Sequence, residues 1–405
     1  MKDNDRTILS ITMLGHGTVH AYELAIPILI PIWMAEFGTG AAIMGLVVSL
    51  GYALYGAGAV PAGVATDAYG SKRLMVGCLL GMGGSFLLLG FAGGVVGVAV
   101  ALVVWGCAAS VYHPAGLRLI STGVEERGTG FAYHGIAGNV GIALGPLLAA
   151  ILLIALEWRV VVVLLAVPAL VAAVYTHYAS VAETAAVTTE NREAVADGGI
   201  SSVTEFLGST RALFAGGFVV VFPIVVLEGF YYRGVLTFLP DVLAGYPSLD
   251  PMAVAGRTVE PAQYVYVGLL IVGMGGQYVG GKLSDRMPPE RAVVGAFFLL
   301  ALLSVLFVPV AERSLVGLLA VTALLGFVLF GEQPLLQAIV ADYSASDVRG
   351  LSYGYMFLGV FGVGALGAAF SGAVLAYTTQ QHLFLLLAAV PIAAAAMAAV
   401  LALRR

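Results

Sequence analysis

The 405-residue chain is 60% hydrophobic and 10% charged, with a mean hydropathy of +1.00. Soluble domains carry roughly 25% charged residues, so this composition excludes a water-soluble globule of this size. A formal net charge of −5 removes the basic footprint that nucleic-acid binding needs, and Cys78 and Cys107, both in apolar runs, offer no disulfide framework.

From the N-terminus, MKDNDRTILS runs into an apolar stretch that lacks a small-residue cleavage site and contains His16, His20 and Glu23. This predicts a retained first helix rather than a secretory signal. Apolar runs of about 20 residues, the length that crosses roughly 30 Å of hydrocarbon, then recur along the chain. They predict helices over 8–34, 41–65, 74–94, 97–122, 129–154 and 158–180. Further helices are expected over 213–243, 262–285, 291–311, 315–341, 348–376 and 381–403. The expected domains are an N-terminal six-helix bundle (1–180), a flexible cytoplasmic linker (181–212) and a C-terminal six-helix bundle (213–405). Fifty-three glycines suit such a fold, because small residues let membrane helices approach closely.

An even number of spans puts both termini on one side. Fourteen of the eighteen Lys and Arg residues fall on that side. Arg159, Arg257 and Arg313 fall on the other, and Arg233 lies within the membrane. The positive-inside rule therefore predicts a multi-pass protein of the plasma (inner) membrane with both termini cytoplasmic.

The two halves repeat. GVATDAYGSKR, from Gly63 to Arg73, has a counterpart in GKLSDRMPPER, from Gly281 to Arg291, with Asp67 matching Asp285. His113-Pro114 matches Gln333-Pro334, Arg127-Gly128 matches Arg349-Gly350, and Gly145 matches Gly367. Nearly constant spacing implies two pseudo-symmetric six-helix bundles, with the substrate site expected where they meet near the midplane.

With these residues in place, the whole chain resembles the major facilitator superfamily. Its loop between helices two and three, G-x-x-x-D-R-x-G-R-K/R, is similar to Gly63, Asp67, Gly70, Lys72 and Arg73, with Ala68 in place of the usual arginine. The second copy has Asp285 and Arg286 but lacks the later glycine. An acid at a helix end beside basic residues can latch neighbouring helices, and Gly63 would permit close packing. Gly141, Gly145 and Pro146 resemble the G-x-x-x-G-P antiporter motif, two glycines on one helix face followed by a bend. Tyr112-His113-Pro114 with Gly138-Asn139-Val140-Gly141 is similar to the fosmidomycin-resistance branch of drug exporters, as are His16, Pro27 and Pro31. Ala115 and His20 stand where that branch commonly has acids.

Ionisable residues at bilayer depth cost at least about 2.5–3.5 kcal/mol on insertion scales, so they are expected to line a cavity or to pair. His16, His20 and Glu23 share one face of the first helix. Glu23 is expected to be the principal proton carrier, with His20 and His113 as relay or substrate contacts, and Glu228 and Glu332 as competing carriers. His16, Tyr112, Arg118, His134, Asn139, Tyr231, Arg233, Gln333 and Gln337 are candidate substrate contacts. The same His16, His20, Glu23 spacing could hold a divalent metal, completed by His113 or His134. A solvated relay explains that face without one, so neither a metal nor a cofactor is expected.

The expected function is alternating-access transport of a small organic compound, driven by protons as export. Proton-coupled uptake or facilitated diffusion of a small organic anion is the alternative, and a divalent-metal-binding transporter or intramembrane metalloenzyme the third. No G-x-x-x-x-G-K-[ST] loop is present. The expected partners are the substrate, protons and lipid, with no nucleic acid, and the monomer is expected to suffice.

Overall fold

The computed structural model describes residues 2–186, 203–344 and 349–403. Arg192, Arg404 and Arg405, which contribute to the charge bias, lie outside the described residues, and so does the side chain of Asp67.

Among the described residues, eleven helical stretches are long and apolar enough to cross a membrane. The first half contains α1 (Asp3–Phe37), α2 (Ala41–Ala57) and α3 (Ala59–Tyr69), α4 (Ser71–Gly90), α5 (Val95–Ala109) and α6 (Tyr112–Gly123), α7 (Arg127–Leu153) and α8 (Trp158–Tyr178). After α9 (Val203–Ala215) come α10 (Phe218–Leu236), α11 (Leu239–Ala244), α12 (Pro261–Ser284) and α13 (Pro289–Ala311). Next are α14 (Leu315–Gly331), α15 (Gln333–Asp342), α16 (Arg349–Phe357), α17 (Leu366–Tyr377) and α18 (Gln380–Leu403). The predicted span not among these eleven is the eighth, 262–285, which forms α12, a 24-residue helix of lower hydropathy than the others. Gln263, Tyr264, Gln277, Tyr278, Lys282 and its glycines dilute its apolar content.

Two features depart from the sequence reading. Residues 203–215 form a helix of their own, which ends at the Gly216-Gly217 pair, so the next span begins at Phe218 rather than 213. Between α11 and α12 lies a small antiparallel hairpin, β1 (Met252–Val254) on β2 (Arg257–Val259). Its turn residues, Ala255 and Gly256, both have positive φ, at 52° and 76°, which matches the twist a two-residue hairpin needs.

Prolines explain where the long spans break. A proline removes an amide donor and clashes with the carbonyl four residues back. The fourth span divides between α5 and α6 just before Pro114, and the tenth divides between α14 and α15 at Glu332, just before Pro334. These are the paired His-Pro and Gln-Pro positions of the repeat. The second half carries one more irregularity, a π-helical stretch over Leu358–Val363 that joins α16 to α17.

Contacts divide the chain into two compact units, Met1–Ala25 with Leu50–Gly208, and Ile26–Ser49 with Ser209–Arg405. In the first unit, α1 and α7 meet backbone to backbone. A Cβ added at Gly141 would overlap Gly17, and one at Gly145 would overlap Ala21. In the second unit, Gly367, the repeat partner of Gly145, abuts Phe230 of α10 in the same way. Residues 26–49 pack with the second unit: Ser49 Oγ donates to the Ala365 carbonyl at 2.6 Å, and Gly45 lies against Ala368 and Gly372.

The start of the expected flexible linker is docked. Asn4 brackets residue 182, donating to the Ala182 carbonyl at 3.2 Å and accepting from its amide at 2.8 Å. Thr122 Oγ1 donates to the Glu183 carbonyl at 2.6 Å.

Candidate functional site

The first unit buries a cluster of four histidines. His16 and His20 are one turn apart on α1, His113 lies in the first turn of α6 and His134 lies on α7. His16 stacks on His134, with centroids 3.7 Å apart, and meets His20 edge-on at 4.7 Å. His16, His113 and His134 are each at least nine-tenths buried. A Cβ at Gly138 would strike the His16 ring, so this glycine makes room for it.

The hydrogen bonds fix the ring orientations. His16 Nδ1 donates to the His134 carbonyl at 2.7 Å, because a carbonyl can only accept. His20 Nδ1 lies 2.6 Å from Glu23 Oε2, and His20 Nε2 lies 3.1 Å from His16 Nε2. His113 Nε2 is 3.0 Å from the Tyr55 hydroxyl. Below the cluster, the buried Tyr112 hydroxyl donates to the Thr12 carbonyl.

The second unit holds a different arrangement. Glu228 of α10 and Glu332, the residue between α14 and α15, are buried with their carboxyl groups turned on each other. Both oxygens of Glu332 and Oε1 of Glu228 have no hydrogen-bond partner in ordinary geometry. Arg233 is also buried, with its guanidinium 5.4 Å from both the Tyr232 and Phe361 rings, and its charge acts on Glu228.

The sequence profile of the Major Facilitator Superfamily matches residues 12–331 and 258–405. The chain belongs to the major facilitator superfamily. It is similar to the fosmidomycin resistance protein of Escherichia coli (strain K12), with 23% identity over 312 residues, or 76% of this chain and 71% of that one. A bacterial homologue of the human lysosomal transporter Spinster, in an inward-facing, unoccupied crystal structure, superposes with a TM-score of 0.76 at 15% identity. That match covers 98% of this chain and 97% of the other. The nucleoside transporter NupG gives 0.75 at 15% identity over 97% and 99% of the two chains. This major facilitator protein is thus an all-α, multi-pass membrane transporter that moves a small molecule by secondary transport, and not an enzyme.

The expected site residues separate into groups. Glu23, His20, His16, His113, His134 and Tyr112 come together in the first unit, with Asn139 half-buried on α7. Arg118 lies apart, donating to the Thr66 carbonyl at 3.3 Å. In the second unit Tyr231 points to Ser304, with hydroxyls 2.6 Å apart, Gln333 lies 3.5 Å from Gln277, and Gln337 is exposed.

The loop of the facilitator motif is built differently from the expectation. A Cβ at Gly63 would meet nothing within 4 Å, so close packing is not its role among the described residues. Gly70, with φ at 85°, supplies the turn between α3 and α4 that L residues resist. The acid holding this turn comes from the linker: the Glu183 carboxylate accepts from the amides of Ser71 at 2.8 Å and Lys72 at 3.2 Å. An anion there satisfies amides that a helix start leaves open. In the second copy, Asp285 and Arg286 are both exposed.

Sequence reasoning missed Glu183, Tyr55 and Tyr52, whose hydroxyl donates to the Glu23 carbonyl at 3.0 Å. Glu183 sits in a stretch whose composition reads as tether, and only the docked chain reveals its partner. Glu183→Ala is expected to cost about 1–2 kcal/mol locally. Amide exchange at Ser71 and Lys72 should then quicken by roughly 5–30-fold; unchanged exchange would remove the latch.

Proposed function

We propose that this transporter exports a small organic compound in exchange for protons, and that the buried Glu228–Glu332 pair carries the proton. The observation behind this is the contact of two carboxyl groups, three of whose oxygens lack a partner. Two like charges in contact at bilayer depth repel strongly, and a shared proton removes that repulsion. Arg233 can compete with the proton for Glu228 and so couple protonation to a rearrangement of α10. The pair is preferred to Glu23 because Glu23 already holds His20.

Export is supported by the Gly141, Gly145 and Pro146 motif and by the similarity to a protein named for fosmidomycin resistance. We place the chain in the inner membrane with both termini cytoplasmic, as two bundles over 1–180 and 213–405. The docked 181–186 segment, which ties α1, α4 and α6 together, suits the cytoplasmic end of the first bundle. A second reading, uptake of a small organic anion, rests on Arg233, since a buried guanidinium can grip a carboxylate at two points.

The test is proton flux in proteoliposomes containing a pH dye, with candidate drugs and organic anions first screened by thermal shift. Under the exchange reading, substrate added on one face drives protons towards that face. Movement of substrate and protons in the same direction would establish the second reading instead. Transport that leaves pH untouched would refute both forms of coupling.

A further inference from the structure

We infer that His16, His20 and His113 form a binding site for a divalent transition-metal ion of the zinc class. One ligand nitrogen from each ring lies within 4.8 Å of the others. The inference is independent of the proton-carrier assignment, which rests on carboxylates of the other unit.

The decisive feature is the way His16 and His20 face each other. His16 spends its Nδ1 hydrogen on the His134 carbonyl, so its neutral ring presents a bare Nε2. His20 with its Nδ1 hydrogen on the Glu23 carboxylate also presents a bare Nε2. These two lone pairs are 3.1 Å apart. Two acceptors at that distance repel unless a cation lies between them, either one additional proton or a metal ion.

The geometry and chemistry suit the metal. Two nitrogens on a tetrahedral zinc ion, each at about 2.0–2.1 Å, stand about 3.3 Å apart, close to the observed separation. His113 completes a three-imidazole set if its Nε2–H donates to Tyr55 and Nδ1 turns to the ion. The largest closure required is about 1.5 Å, from 4.8 Å to that ligand spacing. Glu23, bonded to the far nitrogen of His20, is the carboxylate that metal-ligating histidines generally employ to fix tautomer and raise basicity. Imidazole donors favour zinc, copper and nickel over magnesium or calcium. Three protein ligands leave a fourth position for water or a substrate atom. His134 stays outside the ligand set and acts as a wall, stacked flat on His16.

The experiment uses tag-free, full-length protein in detergent, stripped with chelator and equilibrated with Zn²⁺ alone. Elemental analysis after desalting should find one ion per chain, accompanied by a raised melting temperature. His16→Ala and His20→Ala should lose that ion, whereas His177→Ala and His382→Ala, at exposed positions, should keep it. Glu23→Gln, with all three ligands intact, should weaken binding about 10–100-fold. Should the alanine variants fail to fold, Co²⁺ added to wild-type protein should show the intense visible absorption of a tetrahedral nitrogen site. Wild-type protein that retains no zinc, retention equal in all variants, or an octahedral cobalt spectrum would each overturn the proposal. Retention of no zinc would leave a shared proton as the cation between the rings.

Discussion

Glu332→Gln is expected to uncouple transport: substrate-driven proton flux should fall to that of empty liposomes while substrate still binds. A glutamine at this position keeps the shape of the side chain but cannot exchange a proton with Glu228, which it faces in the buried interior of the second unit. Coupling free energies between linked sites run about 1–3 kcal/mol, equivalent to about 5–150-fold. The pH dependence of substrate affinity should therefore collapse by roughly that factor. Glu228→Gln should act alike, because either carboxyl is half of the same proton-sharing pair. Glu23→Gln should leave proton flux in place, because the coupling is assigned to the other unit. The decisive measurement is dye-reported flux for the three variants side by side, and flux retained by Glu332→Gln but lost with Glu23→Gln would return the carrier to α1.

The second large effect concerns packing. Gly145→Leu should drive a branched side chain into the Ala21 backbone, where even a single Cβ overlaps. Overpacking costs typically about 1–3 kcal/mol where side chains can yield, and here the obstacle is main chain. A melting temperature lower by about 5–10 °C in detergent follows for a unit of this size. Gly141→Leu should match it, given the overlap with Gly17. Gly135→Ala, on the same helix with nothing within 4 Å, should be neutral or slightly stabilising. Equal melting of all three variants would show that α7 does not rest on α1 through these glycines.

The sequence reading located these features unevenly, for physical reasons. Span positions follow from hydropathy because lipid demands long apolar helices, and predicted ends such as 41–65 and 158–180 fall within two residues of the observed ones. The repeat pairs Pro114 with Pro334, but the expected helices run unbroken over 97–122 and 315–341; hydropathy does not register the local break that each proline makes through its own covalent geometry. The i, i+4 and i+7 face of α1 placed His16, His20 and Glu23 together, since helical spacing is local. Contacts between distant segments were not legible in the same way. Neither the Glu228–Glu332 contact nor the Glu183 latch has a local pattern, and the β1–β2 hairpin is too short to register in a search for spans. Gly63 illustrates the reverse error, a motif glycine whose expected packing partner is not there among the described residues.

The meeting of α1 and α7 has a mechanical implication. Where Gly17 and Ala21 confront Gly141 and Gly145, the two surfaces carry almost no side chains that could mesh. Helices that interlock through bulky knobs must unseat each knob in order to slip, whereas smooth surfaces can glide along their common axis with few torsions changing. Such a seam resists being pulled apart and yields to shear.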